Sequence, residues 1–327
     1  CHLQLGQSAV VLISLPRIIQ QCLHQNYHWL RSFALIILAN AQARQADYSA
    51  ALGSAGQAQQ LAQKLADDNG NLRGLNMLAS IYRSLGQYHS SWYYARQGIE
   101  LALHSAAEPS QTIGFYATAA GDFRLLGHHA LALEYQREAI RLGVSLHSPP
   151  LLMSRYYVQL GAILEKLRNY AEALKVMQLG LAAAQSLPLD AQTQEMSAYA
   201  QINLARLYRL NGALPAALAS LAVEGQVRHQ RETWLYHVAA KEQLLTHISL
   251  GEATASLTEL DDLLDLYEKF RQRIREEGNR NSFFDQEQEI YDVAIEFAAV
   301  RLKDEKRAFK YAETAHARSL LDEVSSG

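Results

Sequence analysis

The chain reads as all-α, an α-α superhelix of antiparallel helical hairpins, on three observations. First, a turn followed by an alanine-bearing helix recurs: LGQYHSSWYYA (85–95), LGHHALALEYQREAI (126–140), LRNYAEALKVM (167–177) and NGALPAALASL (211–221). Tyr88, His129, Tyr170 and Leu214 hold equivalent places in these segments, roughly 41–44 residues apart. Second, a matching helix precedes each turn, with a small residue and an apolar one three positions on. The pairs are Ala79 and Tyr82, Ala120 and Phe123, Gly161 and Leu164, Ala205 and Tyr208. Third, 49% of the 327 residues are apolar and only 6 are proline, which suits helices with a sizeable core. One hairpin cannot bury both of its faces, so each needs a copy of itself on either side.

Taken in order, LGQSAVVL (5–12) carries the first turn, so residues 1–5 read as the stump of a first helix. Residues 8–24 make the helix after it. Pro16 lies inside and should kink that helix or end it early, because it lacks the N–H a helix interior needs. Residues 28–45 and 48–67 form the next hairpin, with Asp67-Asp68-Asn69-Gly70 as the turn that closes it. Repeats follow at about 71–104, 112–145 and 152–185, separated by the proline-bearing joints AAEPS (106–110) and HSPP (147–150). In the last of these, Gly161 and Ala173 are the small residues that let two helices cross closely. Residues 190–226 form another pair, and 231–252 a further first helix.

The pattern then changes. In 254–278, Leu257, Leu260, Leu263, Leu264, Tyr267, Phe270 and Ile274 share one face, with acids early and bases late, as the helix dipole favours. A polar break at 279–285 precedes two helices, 290–302 and 307–324. Here Glu296 falls where a small residue is expected and Lys303 where Gly is usual, which leaves the register open by one residue. The chain thus divides into repeats over 1–253, an inserted amphipathic helix and polar loop over 254–284, and a last hairpin over 285–327 that leads toward a further domain.

The repeated pattern (small residue, aromatic, Gly at the turn, Tyr two later, then Ala) resembles the tetratricopeptide repeat, or TPR. Its period exceeds the usual 34 residues and is similar to the longer variant of kinesin light chains and many bacterial signalling proteins. The resemblance covers nearly the whole chain and implies a protein-binding solenoid. A second, shorter resemblance lies at the C-terminal end. Ser282-Phe283, Tyr291, Ala312-Glu313 and Ala317-Arg318-Ser319-Leu320-Leu321 resemble the last repeat before a CHAT domain, the caspase-like peptidase that follows such arrays in bacteria. That family's protease uses a His and a Cys, neither of which can be placed in this sequence; the domain would follow residue 327. This resemblance implies the regulatory or partner-docking arm of a bacterial protease. The alternative is a free-standing TPR peptide receptor or adaptor of a bacterial signalling or transcription system. Cys1 reads as the start of a processed lipoprotein or as a cut within a longer chain, and the repeat turn so close behind it favours the cut.

Several function classes are excluded at this level. A net charge of −3 argues against nucleic acid as the main partner. Cys1 and Cys22 make no disulfide framework, which points to a reducing, cytoplasmic setting. The apolar run 9–15 is stopped by Pro16-Arg17, and 33–38 is too short for a membrane span. His24 and His28 stand four apart near Cys22, a spacing that could hold a metal, yet Gln25-Asn26 between them reads as a turn. Cys22 has no base oriented by a third group, and no glycine-rich phosphate loop is present. His128-His129 sits in a turn, and Tyr93-Tyr94 and Tyr156-Tyr157 each place at least one ring in the core. The reading is a non-enzyme without cofactor or metal. Its partner is a protein or peptide in a concave groove, the protein's own following domain being one such occupant.

In tetratricopeptide arrays the first helix of each repeat lines that groove. Counting back ten and six places from each turn gives Asn76 and Ser80, Ala117 and Gly121, Val158 and Ala162, Ile202 and Arg206, Lys241 and Leu245. The Lys, Asn and Arg set by which chaperone-binding relatives clamp a C-terminal carboxylate is missing. Arg83, Arg124, Arg206 and Arg209 either ring this lining with positive charge or pair with neighbouring acids. On this reading Ala117→Arg or Ala162→Glu weakens binding and leaves helicity intact.

Overall fold

The structure, a computed structural model, describes residues 8–45, 47–105, 109–221, 234–273 and 290–325. Among them every regular element is helical and none is a strand. They group into two compact units, Cys1–Leu167 and Arg168–Gly327.

Unit 1 holds eight described helices. They are α1 (Ser8–His24), α2 (His28–Arg44), α3 (Tyr48–Lys64), α4 (Asp68–Ser84), α5 (Tyr88–His104), α6 (Pro109–Leu125), α7 (His129–Ser145) and α8 (Pro150–Lys166). The first helices α2, α4, α6 and α8 begin at His28, Asp68, Pro109 and Pro150, so the repeat step is 40 or 41 residues. Among the described residues, the turns after α1, α3, α4, α6 and α7 are closed the same way. A residue with positive φ follows the helix, and the next N–H returns to a carbonyl five residues back: Gln87 to Tyr82 at 2.9 Å, His128 to Phe123 at 2.8 Å. Gly86 (φ 71°) and Gly127 (φ 81°) supply the left-handed residue between the helices of a hairpin. Asn26, Ala66 and His147 supply it between hairpins, with φ between 50° and 58°.

Two local expectations change. The segment Asp67-Asp68-Asn69-Gly70 is the start of α4 and not the turn. The turn ends at Ala66, and Asp67 caps the helix by accepting the Gly70 N–H at 2.9 Å. Helix α1 runs through Pro16 to His24. Pro16 lies on the exposed side of the helix, where water can satisfy the carbonyl that loses its partner.

The core of unit 1 is a chain of small clusters, each joining a hairpin to its neighbour. Leu72, Leu75, Ala95, Ile99 and Phe115 join α4 and α5 to α6. Ala119, Ala120, Phe123, Ala132 and Ile163 join α6 and α7 to α8, with Trp92 and Tyr135 packed against them. Tyr156 is buried, and Tyr94 stacks on Tyr82 with ring centroids 5.3 Å apart. Small residues set the approach: a Cβ at Gly98 would stand 2.3 Å from the Phe115 ring.

Unit 2 holds α9 (Tyr170–Gln185), α10 (Ala191–Leu210), α11 (Leu214–Leu221), α12 (Trp234–Leu250), α13 (Ala253–Arg273), a helix over 290–301 whose last turn Phe297–Arg301 is a π-helix, here α14, and α15 (Glu305–Ser325). Asp190 and Thr193 form a reciprocal capping box at the start of α10. Helix α13, expected within an insertion, follows α12 across a turn at Gly251 (φ 83°) and packs on it. Leu244, Leu260, Leu263, Tyr267, Ile290, Tyr291, Ala294, Phe297 and Tyr311 form one core over α12–α15. The odd register of the last hairpin has a cause. Lys303 takes the left-handed turn (φ 54°) where Gly is usual, and the π-turn ahead of it, with Leu302 N–H bonded to Phe297 O, inserts one residue. Glu296 is exposed, and the small residues buried in this helix are Ala294 and Ala298. Ser282-Phe283 and residues 1–7 lie outside the described residues.

Candidate ligand-binding face of the first helices

In unit 1 the first helices are tied to one another by polar side chains that repeat along the stack. Gln111 Nε2 donates to Asn69 Oδ1 at 2.8 Å, linking α4 and α6. Gln159 Nε2 on α8 donates to Ala117 O on α6 at 2.8 Å. Arg83 reaches from α4 to α6, where its Nε donates to Asp122 Oδ1 at 2.8 Å and its Nη2 to Thr118 O. Ser91 Oγ donates to the other oxygen of Asp122 at 2.7 Å. Asp122 is fully buried. Burial pushes its carboxyl above the ordinary carboxylate range, outweighing the pull of Arg83 and Ser91.

This network corrects much of the expected lining. Asn76 and Ser80 are exposed, and Ala162 is half-buried. Ala117, Gly121, Val158, Ile202 and Lys241 are buried and cannot meet a ligand from the surface. The reason at α6 is steric. Its inward stripe is made of small residues, so the long side chains of both neighbours lie across it. A Cβ at Gly121 would stand 2.9 Å from Arg83 Nη2 and 3.0 Å from Gln159 Nε2. Ala117→Arg would therefore disturb the core, and is no clean probe of binding.

The arginines, too, find acids. Arg83 holds Asp122. In unit 2, Glu242 on α12 is only 1% exposed and takes two arginines from α10: Arg206 Nε at 2.6 Å and Arg209 Nη2 at 3.0 Å. Arg83, Arg206 and Arg209 are thus rungs between first helices, the pairing alternative, and not a free ring of charge. Arg124 is half-buried on α6. His247 on α12 has Nδ1 2.8 Å from a Glu259 carboxylate oxygen on α13, a link of the same kind between the helices of one hairpin.

Counting from turns finds Asn76 and Ser80 but misses other side chains that reach the surface of unit 1. Trp29 and Phe33, one turn apart on α2, are 58% and 39% exposed and stack with centroids 6.0 Å apart. Arg73 of α4 places its guanidinium 5.9 Å from the centre of the Phe33 ring. Beside them an open hollow of about 720 Å³ is lined by Tyr27, Trp29, Leu30 and Leu65. The available signal was register: Phe33, Arg73, Gly114 and Arg155 occupy one position in four successive first helices. The acids Asp122 and Glu242 fall on the next first helix after Arg83 and Arg206.

Cys22 is buried, and among the described residues no three His, Cys, Asp or Glu side chains gather as a metal site. No described helix is long and apolar enough to cross a membrane.

No protein-family model matches the chain, and no curated protein matches it. Solved structures do resemble it in fold. The TPR-like repeats of a putative kinesin light chain from Podosopora anserina superpose with a TM-score of 0.51 at 16% identity, over 62% of this chain and 96% of that one. The Rap conjugation gene regulator of the plasmid pLS20, in complex with the Phr* peptide, gives 0.60 at 14% identity, over 90% and 77%. NprR in complex with its cognate peptide NprX gives 0.56 at 18% identity, over 96% and 94%. The chain therefore has the fold of a TPR-like helical repeat.

Proposed function

We propose that this chain is a non-catalytic peptide receptor or adaptor, of the kind that serves bacterial signalling or transcription, and that the first-helix face of unit 1 holds the peptide. One observation carries the reading. On that face Asn76, Ser80, Arg73 and Arg155 all reach the surface, whereas the rungs beneath them keep the backbone rigid without their help. Helices held in place with polar side chains at their surface suit an extended segment, because little order has to be imposed on the receptor when it binds. The fold is shared with two structures that contain peptides, which supports the same reading.

The test is selection from a random peptide library displayed on phage, followed by fluorescence anisotropy with the enriched sequences. Converging sequences are expected, with binding weakened tenfold or more by Ser80→Arg on α4 and unchanged by Glu134→Arg, exposed on the second helix α7. No enrichment, or equal loss in both variants, contradicts the proposal.

A second reading keeps the C-terminal resemblance: the array is the docking arm of a CHAT-type protease and its occupant is that domain. What favours it is that Tyr291, Ala312 and Glu313 fall on the two helices of the last hairpin, Tyr291 in its core. Reading the gene beyond residue 327 tests it; a caspase-like His and Cys there support it, and their absence from the continued frame removes it.

A further inference from the structure

The face of unit 1 is more specific than an open polar wall. Arg73 shares its side of α4 with Asn69 and Asn76, one turn before it and one after. Both point toward α6: Asn69 accepts the Gln111 amide, and Asn76 Nδ2 is the nearest atom to where a Gly114 Cβ would stand, at 3.9 Å. Gly114 is thus a floor with open space above it. From the other side, Arg155 on α8 stands one turn before Gln159, which reaches back to α6. Arg155 is exposed, and no described group pairs with it. Neighbouring helices pack about 8–10 Å apart, so Arg73 and Arg155 straddle one intervening helix whose position between them has no side chain.

The charge around this floor is one-sided. Helix α2 has no acid. The acid of α6, Asp122, is held by Arg83. Glu165 of α8 lies about 15 Å along the helix from Arg155 at 1.5 Å per residue. On α4, Asp67 keeps one oxygen on the Gly70 N–H and leaves the other 3.9 Å from Arg73, and Asp68 is half-buried in the first turn. Beyond Arg73 the surface turns apolar at Phe33 and Trp29.

We infer that unit 1 takes an acidic side chain of the bound peptide over Gly114, between Arg73 and Arg155, and seats an apolar residue about five or six positions along that peptide on Trp29 and Phe33, two helix spacings away. The inference rests on the peptide-receptor reading. The carboxylate is a side chain's and not the peptide's terminus, because the free amide of Asn76 and the aromatic pair lie on opposite sides of Arg73. A chain that touches both passes through the arginines and continues.

The same selection decides it. The enriched peptides should carry Asp or Glu about five or six residues from Leu, Phe, Tyr or Trp, and amidating their C-termini should change nothing. Arg73→Gln and Arg155→Gln should each lower affinity about tenfold, and that loss should vanish for a peptide whose acid is replaced by its amide. Gly114→Leu should block binding, while thermal melting shows both arginine variants folded. Enriched peptides without an acid, or acidic peptides indifferent to both arginine variants, overturn the inference and leave the receptor reading in place. A loss of affinity on amidation reassigns the arginines to a terminal carboxylate and also overturns it. Failure to enrich any peptide sinks both.

Discussion

At the scale of single residues, the turns carry a measurable strain. The left-handed conformation costs a residue with a Cβ about 1–2 kcal/mol relative to glycine. Ala66 adopts it with φ 52° between hairpins, as Gly86 and Gly127 do freely within them. Ala66→Gly should therefore raise stability by about 1 kcal/mol, read from the midpoint of urea unfolding; an unchanged or lower midpoint contradicts this account of the turn. Tyr311 offers a second test. Its hydroxyl donates to Asp261 Oδ1 at 2.7 Å. Burial, and then that carboxylate, push its pKa up to about 12, against an ordinary 10. Below pH 10 both folded and unfolded chains keep the phenol proton, so this residue adds no pH dependence. Between pH 10 and 12 the unfolded chain ionises first, and stability falls as pH rises. Thermal unfolding from pH 8 to 11 should show a shallower alkaline decline in Tyr311→Phe than in the parent; equal declines contradict the assignment.

At the scale of the helix, what holds a hairpin to its neighbour is close approach at small residues, with long side chains laid across them. Gly98 admits the edge of the buried Phe115 ring, 2.3 Å from where a Cβ would stand. Gly98→Ala should cost roughly 1–3 kcal/mol through overpacking, measured by denaturant unfolding. In a linear array the loss should be local, so amide exchange should accelerate in α5 and α6 and stay unchanged in α12 and α13. Acceleration spread evenly over both units would contradict a repeat-by-repeat core. The helices themselves were largely legible in the sequence, since a 3.6-residue period and a recurring turn are written in residue type. The exceptions are physical. Asp67 to Gly70 has the composition of a turn but serves as a cap and first helical turn. The last hairpin hides its register behind a π-turn, which no pattern of residue type marks. The binding face was the least legible part. Counting positions assumes that a helix exposes what it points inward, yet Arg83 and Gln159 roof the small residues of α6 and remove them from the surface.

At the scale of the whole chain, a net charge of −3 conceals a division of labour. The first helices of unit 1 hold more exposed bases than acids, with Arg73 and Arg155 foremost, while α13 carries Glu259, Asp261, Asp262 and Asp265. Binding of an acidic peptide should therefore weaken as salt rises, by screening of exposed charges. The account's central claim is that first helices bind and second helices only support them. Hydrogen–deuterium exchange of the full chain, with and without an enriched peptide at saturating concentration, tests this directly. Protection is expected in α2, α4, α6 and α8, with α5 and α7 unchanged. Protection confined to α5 and α7, or to unit 2, would contradict it.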